Sequence, residues 1–232
     1  MHMAHIHLED GAFTPLWIAA WSLVAAALIA TALLVLRRER LSPRNVAIAA
    51  MCASVGFAVF QVEIPTPLGP VHMNFTPLIG ILVGPSLGSI VVLVINLFSA
   101  AIGHGGWGMI GPNSIVNIAE VLTAYYLFRM LRVRMGRSDK WSGFIATFLA
   151  LALSALLVVV IVTISEIQGS ELTREQTFAN LTVLAAINIG AGAVEGIVTG
   201  YVVSFIGRVR PDLLARYGRR EAWAAPNKSA GG

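Results

Sequence analysis

The chain has one cysteine, Cys52, and it lies inside an apolar run. No intrachain disulfide framework and no cysteine-ligated zinc site can be built from it, so Cys52 reads as a packing residue. Charge is also scarce: Asp, Glu, Lys and Arg make up 12% of the 232 residues, roughly half the share found in a soluble domain. That scarcity excludes an ordinary water-facing surface. No GxxxxGK[ST] loop occurs, so any ATP must be handled by another chain. HExxH is missing, and no Ser or Cys nucleophile has a recognisable partner, which argues against an intramembrane metallohydrolase and against an enzyme generally. The opening MHMAHIHLEDGAF has histidines where a secretory leader carries Lys or Arg, and it places Glu9 and Asp10 before the apolar run. It is therefore expected to persist in the mature protein.

What is present is apolar. Hydrophobic residues make up 56% of the chain and the mean hydropathy is +0.77, with several runs long enough to cross a bilayer. The expected fold is an all-α integral membrane protein. A first span over 13–36 ends in Arg37, Arg38, Arg40 and Arg44; a second covers 46–62; an external loop over 63–74 carries His72. The segments 75–83 and 89–102 flank Gly84-Pro85, which predicts either two short helices joined by a tight turn or one kinked hairpin. Residues 104–113 are too glycine-rich for a stable helix and are expected to form an outer loop. Spans over 114–128, 144–164 and 178–206 complete seven, with the amino terminus outside and the carboxyl terminus cytoplasmic.

This topology places 15 of the 16 Lys and Arg residues on the cytoplasmic side or tail and leaves Arg174 outside, as the positive-inside rule requires. The net charge of +4 is thereby explained by span ends, and no nucleic-acid partner is expected. Three segments follow: an extracytoplasmic amino-terminal segment over 1–12, a helical membrane domain over 13–210 and a cytoplasmic tail over 211–232, flexible after Tyr217. All five histidines, His2, His5, His7, His72 and His104, fall at the outer face with Glu9, Asp10, Glu63, Glu166, Glu171 and Glu175. Imidazole and carboxylate gather where a cation would enter.

The stretch 65–117 concentrates glycine and proline among apolar segments, where a bilayer protein puts irregular backbone that lines a site. Imidazoles without thiolates favour a divalent transition metal over calcium or magnesium. A free amine followed by histidine, as in Met1-His2, chelates nickel or copper in a square plane; an unordered tail whose histidines do nothing is the equal alternative. His72, in a proline-rich loop leading into short helices, is read as a ligand. His104 is placed beside the ligands, and Asn74, Asn113 and Asn117 are read as amides that orient them. Glu120 and Glu195 lie within spans, where an ionisable group serves either function or an internal hydrogen-bond network. Gly190 to Ala193 form a small face for helix packing, and the row Ala49, Ala50, Ala53, Ser54 and Gly56 is read as a surface for a partner helix.

Taken in order, HIHLEDG, Gly69-Pro70-Val71-His72, Leu82-Val83-Gly84-Pro85, His104-Gly105-Gly106, Gly111-Pro112-Asn113 with Asn117, and Val194-Glu195-Gly196-Ile197-Val198-Thr199-Gly200 resemble the CbiM/NikM family. Its members are substrate-binding membrane subunits of energy-coupling-factor transporters for cobalt and nickel in prokaryotic cell membranes. The resemblance runs to about Leu214. It implies seven helices and an amino-terminal segment folded back so that the amine, the next residue's amide and imidazole, and a loop histidine, here His72, hold one Co²⁺ or Ni²⁺ ion as transported substrate. No permanently bound cofactor is implied. The implied partners are a transmembrane coupling subunit and two cytoplasmic ATPases, with a small accessory membrane subunit in some assemblies.

The chain departs from that pattern in two places. Asp10-Gly11 aligns the family's second-position histidine with His7, leaving extra residues before it. Either His2 loops in with the terminus, or His7 binds through its side chain with help from His5, or translation starts at Met3 and methionine removal leaves Ala4-His5. Asn188 stands where many relatives are expected to have histidine. A vitamin-binding subunit of the same transporter class shares the architecture but would lack the clustered histidines.

Overall fold

The computed structural model describes residues 11, 13–39, 41–64, 71–165 and 173–217. Met1, His2, His5 and His7 lie outside the described residues, as does the tail beyond Tyr217.

Proline and capping residues set where the helices begin. α1 (Pro15–Arg38) starts at a proline after extended Thr14 and stops in basic residues. α2 (Pro43–Phe60) starts the same way, with the Ser42 hydroxyl accepting the Asn45 N–H at 3.2 Å. A two-residue ladder pairs β1 (Glu63–Ile64) antiparallel with β2 (Val71–His72), setting Glu63 opposite His72. α3 (Thr76–Val83) and α4 (Pro85–Ala101) are separated by Gly84, whose φ of 90° and ψ of 174° suit only glycine. The tight-turn alternative for this segment is the one observed. α5 (Ile110–Arg129) follows a 3₁₀ turn over Trp107–Met109 and runs into a π turn over Met130–Arg134. α6 (Asp139–Ser165) precedes α7 (Arg174–Val209), which opens with a capping box between Thr173 and Gln176.

The described residues thus form seven α-helices. α1, α2, α6 and α7 are each long and apolar enough to cross a membrane. α3 is not: eight residues rise about 12 Å, well short of a ~30 Å hydrocarbon layer. Apolar side chains such as Leu16, Leu23, Leu34, Met51, Phe98, Leu156 and Phe205 face outward, as in a chain whose solvent is lipid. The protein is a multi-pass membrane protein.

α5 is the hub, packing against α1, α3, α4 and α6, and α6 lies along α7. Glycine allows these approaches. A Cβ at Gly80 would meet the Val121 carbonyl oxygen at 2.5 Å, and one at Gly200 would meet the Lys140 carbonyl oxygen at 2.6 Å. Gly111 lies as close to Ser22 of α1, its notional Cβ 2.7 Å from Cα. This corrects the expected loop over 104–113: Gly111, Pro112 and Asn113 form the first turn of α5. Proline is tolerated in a first turn, and only glycine fits against α1 there.

The expected tail boundary at 211 also shifts. Residues Pro211–Tyr217 form a 3₁₀ segment with Leu214 and Tyr217 buried in the main apolar cluster. The Tyr217 hydroxyl donates to the Ile81 carbonyl at 2.8 Å, and Arg132 donates to the Leu214 carbonyl at 3.0 Å. Arg132 pairs with Asp139 at 2.6 Å, and Arg44 pairs with Asp212.

Candidate functional site

Glu120 lies midway along α5 and Glu195 beyond the middle of α7, exposed by only 3% and 2%. The segment between β2 and α3 reaches in to them. The Asn74 N–H donates to Glu195 Oε2 at 3.1 Å and the Phe75 N–H to Glu195 Oε1 at 3.1 Å. The Asn74 side-chain amide donates to Glu120 Oε2 at 2.9 Å, while its Oδ1 accepts the Thr76 N–H at 2.9 Å. Phe75 has a φ of 50°, the only described residue other than glycine in the left-handed region.

Beside this knot is a small cavity, about 40 Å³, lined among the described residues by Asn74, Asn113, Asn117, Glu120, Ser154, Asn188 and Glu195 together with apolar neighbours. Asn117 Nδ2 donates to Asn96 Oδ1 at 2.9 Å, and Asn96 Nδ2 to Ser114 Oγ at 3.1 Å, which fixes the Asn117 side chain from behind. Asn188 donates to the Leu184 carbonyl at 2.9 Å, and its buried Oδ1 has no partner. This is the position where many relatives are expected to have histidine. The cavity is rich in acceptors and accommodates a cation or a hydrogen-bond donor better than an anion.

The structure brings Asn74, Asn113 and Asn117 to one cavity, together with Ser154, which no sequence signal marked. His104 sits in an adjoining cleft with Ser99, Gly105 and Asn113, its ring edge-on to Phe60 at 5.5 Å. Asn113 lines both spaces. The backbone of His72 is placed by the β1–β2 ladder, two residues ahead of Asn74. Among the described residues no three His, Cys, Asp or Glu side chains gather to hold a metal.

The partner-helix row divides. Ala49 is buried against the main core, and Gly56 faces Ile95 and Ile79, so neither belongs to an open surface. This corrects the reading of Ala49: residues 49, 53 and 56 share the inward side of the helix, by its period of 3.6. Ala50 and Ser54 are exposed, with Ser54 donating to the Ala50 carbonyl at 3.0 Å. The face over 190–193 packs as expected in part: Gly192 faces Leu151 of α6, whereas a Cβ on Gly190 would meet nothing within 4 Å.

Residues 7–213 match the family described as CbiM, cobalt uptake substrate-specific transmembrane region. A provisionally named cobalt transport protein CbiM 1 of Methanocorpusculum labreanum is 29% identical, the alignment covering 92% of this chain and 94% of the relative. A provisionally named fused nickel transport protein NikMN of Archaeoglobus fulgidus is 29% identical over 97% of this chain and 71% of its own length. The crystal structure of a transition metal transporter superposes with a TM-score of 0.78 at 18% identity, covering 93% of this chain and 99% of that one. It shares the fold.

Proposed function

The chain belongs to the CbiM family, and from that premise we propose that it is the substrate-capture subunit of an importer for divalent cobalt or nickel. The observation that carries this reading is the non-helical segment over 71–75, led by His72 and tied to Glu120 and Glu195 at the level of the polar cavity. Irregular backbone at membrane depth occurs where it lines a site. In this reading the ion arrives at the outer face and His72 is a ligand, with His7, His2, His5 or the Met1 amine completing the set. Nitrogen donors suit cobalt and nickel alike. His104 and the asparagines orient the ligands.

The subunit carries out no catalysis. A transmembrane coupling subunit and two cytoplasmic ATPases supply the energy. The exposed part of α2, Ala50 and Ser54, supports a helix-to-helix contact with the coupling subunit. The amino terminus lies outside and the carboxyl terminus in the cytoplasm, which the distribution of basic residues supports.

The test is equilibrium binding of Ni²⁺ and Co²⁺ to the detergent-purified full chain beside His72→Ala. Tight one-to-one binding, weakened at least 100-fold in the variant, is expected. Absence of binding to the unaltered protein overturns the reading; equal binding by both overturns the role of His72.

A further inference from the structure

We infer that Glu195 and Asn74 are positioning residues that aim His72, and that this explains the carboxylate on α7. The inference rests on the metal-capture reading above.

The backbone around His72 is held at two points. Upstream, β2 pairs with β1, so His72 lies opposite Glu63. Downstream, Glu195 grips the chain at Asn74 and Phe75, taking one N–H on each oxygen at 3.1 Å. Only Met73 lies between the ladder and the grip. In a protein interior surrounded by lipid, two adjacent N–H groups outside any helix need acceptors. A carboxylate meets both at once, whereas a carboxamide has one oxygen and would turn its NH₂ toward the second N–H. This gives a specific task to an ionisable side chain placed where such groups are expensive.

The grip also holds a conformation the chain does not favour. Phe75 is left-handed at φ 50°, which persists only when its surroundings enforce it. Asn74 extends the grip by bridging Glu120 on α5 and the Thr76 N–H at the start of α3. Thus α3, α5 and α7 converge on two consecutive residues, Asn74 and Phe75, separated from the proposed ligand by Met73 alone. If the knot loosens, His72 should keep its chemistry but lose its place, and outer residues of this kind change metal affinity by about 10- to 100-fold.

The experiment measures Co²⁺ affinity, the visible absorption of bound Co²⁺, and the melting midpoint of the metal-free full chain in one detergent. The variants are Glu195→Gln, Asn74→Asp, and the swap Asn74→Asp with Glu120→Gln, with Gly190→Ala as a control remote from packing contacts. Glu195→Gln is expected to weaken binding about 10- to 100-fold and to shift the Co²⁺ bands, because coordination geometry changes. Asn74→Asp sets a carboxylate against Glu120 and should do the same. The swap reverses donor and acceptor across that bond while keeping an oxygen for Thr76, and should return affinity to within about threefold, roughly 0.65 kcal/mol by RT ln 3, with the original bands.

Unchanged affinity and bands in Glu195→Gln and Asn74→Asp would overturn the inference while leaving the capture function standing. So would losses that follow the melting midpoint and are not restored by the swap, because the knot would then serve folding alone. Absence of Co²⁺ binding to the unaltered protein would overturn the capture function itself, and this inference with it.

Discussion

Gly80→Ala tests how closely α3 must lie against α5. The added Cβ would stand 2.5 Å from the Val121 carbonyl oxygen, 2.9 Å from Val121 Cα and 3.1 Å from its carbonyl carbon. All three are backbone atoms in the middle of a helix, so no rotamer change relieves them. Reaching ordinary contact near 3.4 Å requires the helices to part by about 0.9 Å. Overpacking of this kind costs about 1–3 kcal/mol, and the better helix propensity of alanine returns up to about 1 kcal/mol. A net loss of about 1–2 kcal/mol is expected, which lowers the melting midpoint by roughly 2–8 °C in a chain this long. Because α3 begins directly after Phe75, its displacement should also pull Asn74 and Phe75 from Glu195 and weaken Co²⁺ binding. Gly190→Ala makes the same exchange where a Cβ meets nothing within 4 Å, and it should leave stability equal or up to about 1 kcal/mol higher. The assay is thermal unfolding followed by circular dichroism, with both variants in the same detergent. If Gly80→Ala melts at or above the unaltered protein, α3 and α5 are not in the contact described, and the account of what holds the loop fails.

Two further outcomes are open to the same measurement. Tyr217→Phe removes the donor to the Ile81 carbonyl and should cost about 1–3 kcal/mol, because a buried acceptor loses its partner; an unchanged midpoint would mean that the 211–217 segment is not docked there. Asn96→Leu leaves the Asn117 amide and the Ser114 hydroxyl without their shared neighbour and should cost about 2–6 kcal/mol by the same reasoning applied twice; stability equal to the unaltered protein would refute the Asn117–Asn96–Ser114 relay.

Helix number and class were legible because they rest on apolar length, and the break at Gly84-Pro85 because only glycine and proline make such a break in an apolar run. Helix starts were legible to within a few residues where Pro15 and Pro43 mark them, whereas α4 starts at Pro85, four residues before the expected 89. The start of α5 was misread because the same glycines that lower helix propensity also permit contact with α1, and tertiary contact prevailed at Gly111. Glu120 and Glu195 drew attention as charges within spans, but no sequence pattern announces that Glu195 would take two backbone N–H groups from a segment 120 and 121 positions away. Ser154 has no signal of its own. It is one of several serines on an apolar helix, and only its facing at α5 and α7 selects it.

The half-length helix explains why the site needs ionisable groups. A helix that begins at the membrane surface leaves its first N–H groups to water, but α3 begins beside Glu120 and Glu195, deep among the other helices. Its approach must therefore be satisfied from within the protein. Asn74 and Phe75 donate to Glu195, Thr76 donates to Asn74 Oδ1, and position 77 is a proline with no N–H to satisfy. From there Ile79 reaches back to the Phe75 carbonyl and regular helix takes over. For the N–H groups of residues 74–76 the acceptors come from Glu195 and Asn74, and Asn74 is itself held by Glu120. Glu195 thus does for this segment what a neighbouring strand would do in a sheet, and Glu120 holds the Asn74 side chain. Removing either one does more than delete a charge: it leaves the chain ahead of α3 with donors it cannot satisfy at that depth, and the segment carrying His72 would have to move toward the surface to find water.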